Sequence, residues 1–267
     1  MRAAITIIHN GLHHLKHNGF AEFMLENFDL WVVVEGHAKP GGSTSWCRKV
    51  NVPYQSDDGT VEYMQSIQSD KLLFYTHHKY YQSKDEQFNK AIQLLKTRTN
   101  NAYLWQVDCD EQWNPEFFPL VERRMWRSHF NVGSFQFNHF VKDDLIALGK
   151  WGSGWVNRVW RWRGQGFASH EPATMVGQTK TAELFPYKFD HYSMTFEQDV
   201  KFKAKYYRGH EQVYQNWKRL DEFEYPCHIS NLFGKNCQIG RTDSYLYKTN
   251  DPCVNVTNLA DLKNNEC

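Results

Sequence analysis

The sequence predicts an α/β fold: a mostly parallel central sheet flanked by helices, with antiparallel strands added in the C-terminal half. Three observations predict it. Short β-branched runs alternate with segments of helical spacing through the first 110 residues. Polar residues of ligand type follow several of those runs directly, as His9-Asn10, Glu35 and Asp108-Cys109-Asp110 do. Beyond Pro119 the pattern changes to strands whose side chains alternate.

Ala3 to Ile8 is a short apolar run and reads as a buried strand. Leu15 to Asn27 has helical spacing, with Leu15, Phe20, Phe23, Met24 and Phe28 able to share a face. Leu30 to Val34 is too β-branched to prefer helix and reads as the second strand. A Gly, Pro and Ser-rich loop follows. Asp57 to Gln68 reads as a turn entering a helix, and Lys71 to Tyr75 as a third strand. Lys84 to Thr97 is amphipathic, with Phe88, Ala91, Ile92, Leu94 and Leu95 near one side. Ala102 to Val107 is the fourth strand and delivers DCDE to its C-terminal end. In the later half, 121–129 read as helix, and Phe130 to Val141 and Trp155 to Trp162 as strands. Residues 1–250 are read as one domain, divided into 1–118 and 119–250, with 251–267 as a peripheral tail.

Composition narrows the class. The chain has 267 residues, of which 41% are hydrophobic and 23% charged, an ordinary globular balance. The net charge of +1 lacks the basic excess of a nucleic-acid binder. No apolar run approaches the ~18 residues of a membrane span, and no signal peptide is read at the start. The expected location is therefore cytoplasmic, with the six cysteines as thiols. Aromatic residues are abundant, at 16% with 10 Trp. They fill cores and also stack on sugars, and core packing is the first reading.

The chemistry centres on Asp108 and Asp110. Two carboxylates one residue apart, in a turn at a strand end, can aim at one hard cation. Mg²⁺ and Mn²⁺ accept such oxygen ligands and leave positions for substrate phosphates. The bland alternative is an acidic turn capping the helix that Pro115-Glu116 opens. In open parallel sheets, ligands bind beyond the carboxyl ends of the strands. The shared placement of His9, Asn10, Glu35 and the Asp108–Asp110 pair at such ends favours the site. His13-His14-x-x-His17 and His77-His78 lack an accompanying glutamate motif and read as surface residues. Trp151 to Trp155, WGSGW, reads as a hinge or hairpin turn between aromatics.

VDCDE after a buried strand resembles the metal-binding signature of GT-A glycosyltransferases. Further segments resemble the family-2-type inverting members in the same order. These are WVVVEG with SDDGTVEYM, KDEQFNKA, NRVWR through His170-Glu171, and His191-Tyr192-Ser193 with Lys203, Lys205 and Tyr206. The likeness spans residues 3–210. It implies a Rossmann-like GT-A sheet, a nucleotide-diphosphate sugar as donor (a UDP-sugar favoured), and a glycan or glycoprotein acceptor. It implies that His9, Asn10, Glu35, Asp58, Lys84 and Asn89 line the donor pocket. Asp108 and Asp110 would hold Mn²⁺ or Mg²⁺, with His170 or His191 adding a metal or phosphate contact. Residues 36–55 split the second segment, where the family has none, and this bears on Asp57 and Asp58 as nucleotide contacts.

An inverting transfer needs a base for the acceptor hydroxyl and cations for the leaving diphosphate. Glu171 is the first candidate base, with Asp143 and Asp144 as rivals. Arg158, Arg161 and Arg163 could hold phosphate oxygens; Arg161 and Arg163 could equally form the solvated face of a half-buried strand. Two other functions stand beside transfer. A metal-dependent phosphohydrolase would want a second acidic cluster, and a non-enzymatic glycan-binding protein would need neither metal nor nucleotide.

Overall fold

The structure is a computed structural model and describes residues 1–128, 130–148, 154–178, 181–229 and 237–242. In chain order the elements are β1 (Arg2–Ile8), α1 (Leu12–Lys16), α2 (Phe20–Asn27), β2 (Leu30–Glu35), α3 (Thr60–Ser66), β3 (Leu72–Thr76) and α4 (Lys84–Leu95). There follow β4 (Ala102–Gln106), β5 (Glu111–Gln112), α5 (Phe117–Arg127), β6 (Val132–Lys142), β7 (Leu145–Leu148) and β8 (Val156–Trp162). The last are β9 (Phe167–His170), β10 (Ala173–Met175), β11 (Glu183–His191), α6 (Glu197–Tyr206), α7 (Val213–Lys218), β12 (Cys227–Ile229) and β13 (Cys237–Arg241). The tail 251–267 and residues 151–153 of the expected hinge lie outside the described residues.

The chain forms two compact units. The first comprises residues 1–109, 118–134 and 156–184, and the second 110–117, 135–155 and 185–267. In the first, the strand order is β8-β4-β1-β2-β3. The pairs β1–β2, β1–β4 and β2–β3 are parallel and β8 joins β4 antiparallel, as the α/β reading anticipated. Every residue of β2 is buried, which a strand covered on both faces requires. Helix α4 lays Phe88, Ala91, Ile92 and Leu95 into the cluster that holds Val32, Val34 and Leu104. Leu94, expected on that side, is only partly buried. The Ser83 hydroxyl caps α4 by accepting the Glu86 N–H at 3.1 Å.

Two helices depart from expectation. The helix expected over 15–27 is broken, because Gly19 takes φ 65° and separates α1 from α2. Helix α5 begins at Phe117, four residues before the expected start, with Pro119 in its first turn. Proline is tolerated there because the first N–H groups of a helix have no intrahelical acceptor. His14, read as a surface residue, is buried where α1 packs against α2 and α3.

The aromatic surplus goes mainly to packing. Trp31, Trp105 and Trp162 are fully buried, and Trp105, Phe28 and Arg2 surround Phe118. The second unit is antiparallel. Strand β7 pairs with β6 and β13, β13 with β12, and β11 with β5 and β6. Trp113 stacks on Phe189 at 4.5 Å in this unit. Val200 of α6 and Val213 of α7 close over Val141, Ala147 and Ile239. Cys47, Cys109 and Cys227 are thiols. Among the described residues, no helix is long and apolar enough to cross a membrane.

Candidate functional site

The parallel register brings strand ends of the first unit to one edge. Ile8 lies opposite Glu35, Glu35 opposite Thr76, and Ile5 opposite Gln106. His9-Asn10, Glu35 and Asp108 therefore leave the sheet together. Thr6 pins this edge from within. Its hydroxyl donates to the Val107 carbonyl at 2.7 Å, and its oxygen accepts the Trp31 indole N–H at 2.9 Å.

Loop 36–55 is pinched closed at its base. The His37 N–H reaches the Tyr54 carbonyl at 2.7 Å, and Gly36 supplies φ 132° for the turn. The chain thus returns Ser56, Asp57 and Asp58 beside His9-Asn10 despite the inserted residues. The Asn10 side chain accepts the Asp57 N–H at 2.9 Å, and the Asn10 N–H reaches the Ser56 hydroxyl at 2.8 Å. Asn10 holds φ 51°, a left-handed conformation that asparagine tolerates better than most residues.

Several expected pocket residues have structural partners. Glu35 is fully buried, accepting the Ser56 N–H at 2.7 Å and the Thr76 hydroxyl at 2.6 Å. Asp58 accepts the Leu12 N–H at 3.0 Å and both the N–H and hydroxyl of Thr60, so it satisfies the first N–H of α1 and of α3. Asn89 holds β9 to α4 through both the N–H and the carbonyl of Phe167. The Arg161 guanidinium donates to the Met125 and Ser128 carbonyls at 3.4 Å, at the C-terminal turn of α5. That contact uses the negative end of the helix, and Arg161 is partly exposed between the buried Trp160 and Trp162.

A charged cluster remains. Arg158 lies 3.3 Å from the Asp108 carboxylate and is nearly buried. His170 stands beside it, with Phe88 4.9 Å away, ring to ring. Burial pushes the His170 imidazole well below its ordinary range, and the Lys84 and Arg158 charges push the same way. Its Nδ1 is enclosed without a hydrogen-bond partner. Glu171 follows, exposed, with its N–H on the Ser43 hydroxyl at 3.2 Å. Burial lowers His9 as well, against the opposing charge of Glu35. His37, whose ring lies 5.1 Å from that of His9, is pushed down to about 4 by burial, then by the His9 and Lys84 charges.

In the second unit, Asp110 is held at the start of β5. Its carbonyl accepts the Tyr192 N–H at 2.7 Å. Its carboxylate lies 3.5 Å from His191 Nε2 and 3.7 Å from Lys203 Nζ. The ring of His139 is 5.3 Å from that of His191 and bonds Ser193 at 3.1 Å. Burial holds His139 well below its ordinary range. Asp143 and Asp144 form the exposed turn between β6 and β7, where Asp144 pairs with Arg241. His37, Ser43 and His139 were not read as site residues, and Asp85 only as part of the KDEQFNKA segment. Alternation in β6 marks the facing of His139, but no local pattern signals His37 or Ser43.

The fold and this strand edge define a class: an α/β protein with carboxylates, imidazoles and cations gathered beyond parallel strand ends. No protein-family model and no curated protein matches the chain. Among solved structures it is similar to 2-C-methyl-D-erythritol 4-phosphate cytidylyltransferase of Francisella tularensis, with 10% identity, 60% of this chain and 73% of that chain covered, and a TM-score of 0.35. It is also similar to TarS 1-349 of S. aureus, with 11% identity, 81% and 70% covered, and a TM-score of 0.43.

Proposed function

We propose that this protein is a metal-dependent glycosyltransferase with a GT-A-type fold, moving a sugar from a nucleotide-diphosphate sugar, a UDP-sugar in the first instance, to a glycan hydroxyl with inversion. The observation that carries the reading is the pairing of Asp108 with Arg158 at the strand edge that also ends in His9, Asn10 and Glu35. A carboxylate and a guanidinium there offer one group to a cation and one to phosphate oxygens.

Mn²⁺ or Mg²⁺ suits these carboxylates. Asp108 would offer it hard oxygens, as would Asp110, beside which stands the His191 imidazole, a ligand that Mn²⁺ accepts readily. Bound there, the cation would neutralise charge growing on the leaving diphosphate. The Lys84 and Arg158 charges beside His170 argue against a metal at that imidazole and favour an anion. Arg158 and Lys203, now facing Asp108 and Asp110, would supply positive charge to phosphate oxygens. Asn10 and Asp58 would shape the nucleotide side through the turns they hold.

Glu171 would take the acceptor proton as the hydroxyl attacks the anomeric carbon and the bond to the diphosphate breaks. Its carboxylate has no partner among the described residues, which leaves it available as a base. Asp144 is committed to Arg241, which favours Glu171 over it.

A thermal-shift series with UDP-, GDP- and dTDP-sugars, with and without Mn²⁺, tests this. A Tm rise that needs both nucleotide and cation is expected. A rise with metal alone at two ions per chain would favour a phosphohydrolase instead. A rise with free glycan and no cation would favour a binding protein.

A further inference from the structure

The exposed face of α5 has no part in the donor site. At 3.6 residues per turn, Trp126, Pro119, Arg123, Arg127, Leu120 and Arg124 follow one another over an arc of roughly 160°. All six are exposed, Trp126 at 72% and Leu120 at 43%. The arc carries no acidic residue. Glu122 turns inward, to Arg2 at 2.5 Å and to the Trp105 indole at 3.2 Å. Arg124 is paired with Glu183 at 2.8 Å. Arg123 and Arg127 have no carboxylate partner among the described residues. The helix is preformed, since Phe118, Val121 and Met125 are buried beneath it and Arg161 satisfies carbonyls of its last turn.

We propose that this face docks the protein onto an anionic lipid surface. Arg123 and Arg127 would bond headgroup phosphates, and Trp126 and Leu120 would sit at the boundary with the acyl chains. Guanidinium groups suit phosphate oxygens, and tryptophan prefers the membrane–water boundary. The charge arrangement favours lipid over other partners. A helix groove on a protein reads an apolar stripe at i, i+3, i+4 and i+7, and from Leu120 those positions are Arg123, Arg124 and Arg127. A nucleic-acid partner would call for a wider basic excess than a net charge of +1.

The test is co-sedimentation of the full chain with vesicles of phosphatidylcholine alone and of phosphatidylcholine mixed with phosphatidylglycerol. Binding to the mixed vesicles only, weakened by salt, is expected. The double variant Arg123→Gln, Arg127→Gln should lose roughly 30-fold in affinity, at about a fivefold loss per arginine. Trp126→Ala should lose about tenfold. The variant Arg123→Lys, Arg127→Lys keeps the charge and should retain most of the binding, and thermal unfolding of each variant checks the fold. Equal binding to both vesicle types, binding to neither, or binding unchanged in the double glutamine variant overturns the proposal. Retention by a single-stranded oligonucleotide or by polyglutamate in place of the vesicles also overturns it.

Discussion

Ser43 and Asp85, 42 residues apart, are joined twice: the Ser43 N–H reaches Asp85 Oδ2 at 2.8 Å and its hydroxyl reaches Oδ1 at 2.6 Å. Oδ1 also accepts the His170 N–H at 2.7 Å. One carboxylate in the first turn of α4 thus ties loop 36–55 to the strand that presents Glu171. Asp85→Ala should cost about 2–3 kcal/mol, because a charged acceptor and its donors separate. Denaturant midpoints measure the loss, and limited trypsin digestion should then cut at Arg48 or Lys49. An unchanged digestion pattern would sink the clamp.

Gly42 lies against the same carboxylate. It holds φ 52°, and an added Cβ would come within 1.9 Å of Asp85 Oδ2. Gly42→Ala should therefore destabilise by at least about 1 kcal/mol from backbone strain alone, and by more from the clash. Gly177, with φ 74° and open space around it, is the control. Equal melting losses at the two positions would show that the clash is relieved.

His37 links stability to pH. Its folded pKa of about 4 lies below the ordinary 6.5, so the folded state favours the neutral ring. Its contribution is complete above pH 6.5 and is lost as pH falls toward 4. A loss of roughly 1–2 kcal/mol by pH 5 is expected. The pH dependence of Tm should be shallower in His37→Gln than in the parent, and parallel curves would assign the acid loss elsewhere.

Asp110→Ala should abolish the cation-dependent part of the nucleotide thermal shift and lower transfer on the order of 100-fold or more. The fold should survive, since the Asp110 bond to Tyr192 uses the backbone. Retained turnover with Mn²⁺ refutes the metal role.

Glu171→Gln should lower kcat by roughly 100-fold or more while the KM for donor changes little. The same behaviour in Asp143→Asn, with Glu171→Gln active, would move the base to the second unit.

The parallel strands were legible within a residue or two at each end. Buried strands such as Leu30–Glu35 are continuous β-branched runs, and that signal is local. The break at Gly19 was not legible, because glycine inside a helical pattern marks a break only when packing asks for a turn. The start of α5 was hidden by Pro119, which reads as a boundary and sits inside the first turn. At the site, the strand-end positions of Asp108, Glu35 and His9 were legible. Their partners were not: the Glu35 oxygens are taken by Ser56 and Thr76, 21 and 41 residues away.

The sequence by itself determined the four parallel strands with β6 and β8, and that carboxylates and histidines stand at the C-terminal ends of the parallel ones. Burial imposes its period on neighbouring residues, and that period survives in one dimension. Only the tertiary structure decided what those side chains meet. It closed loop 36–55 at His37 and Tyr54, set Arg158 against Asp108, and turned Arg161 to the end of α5. A carboxylate or guanidinium takes the partner that chain convergence brings within about 3 Å, and that convergence is written in no local pattern.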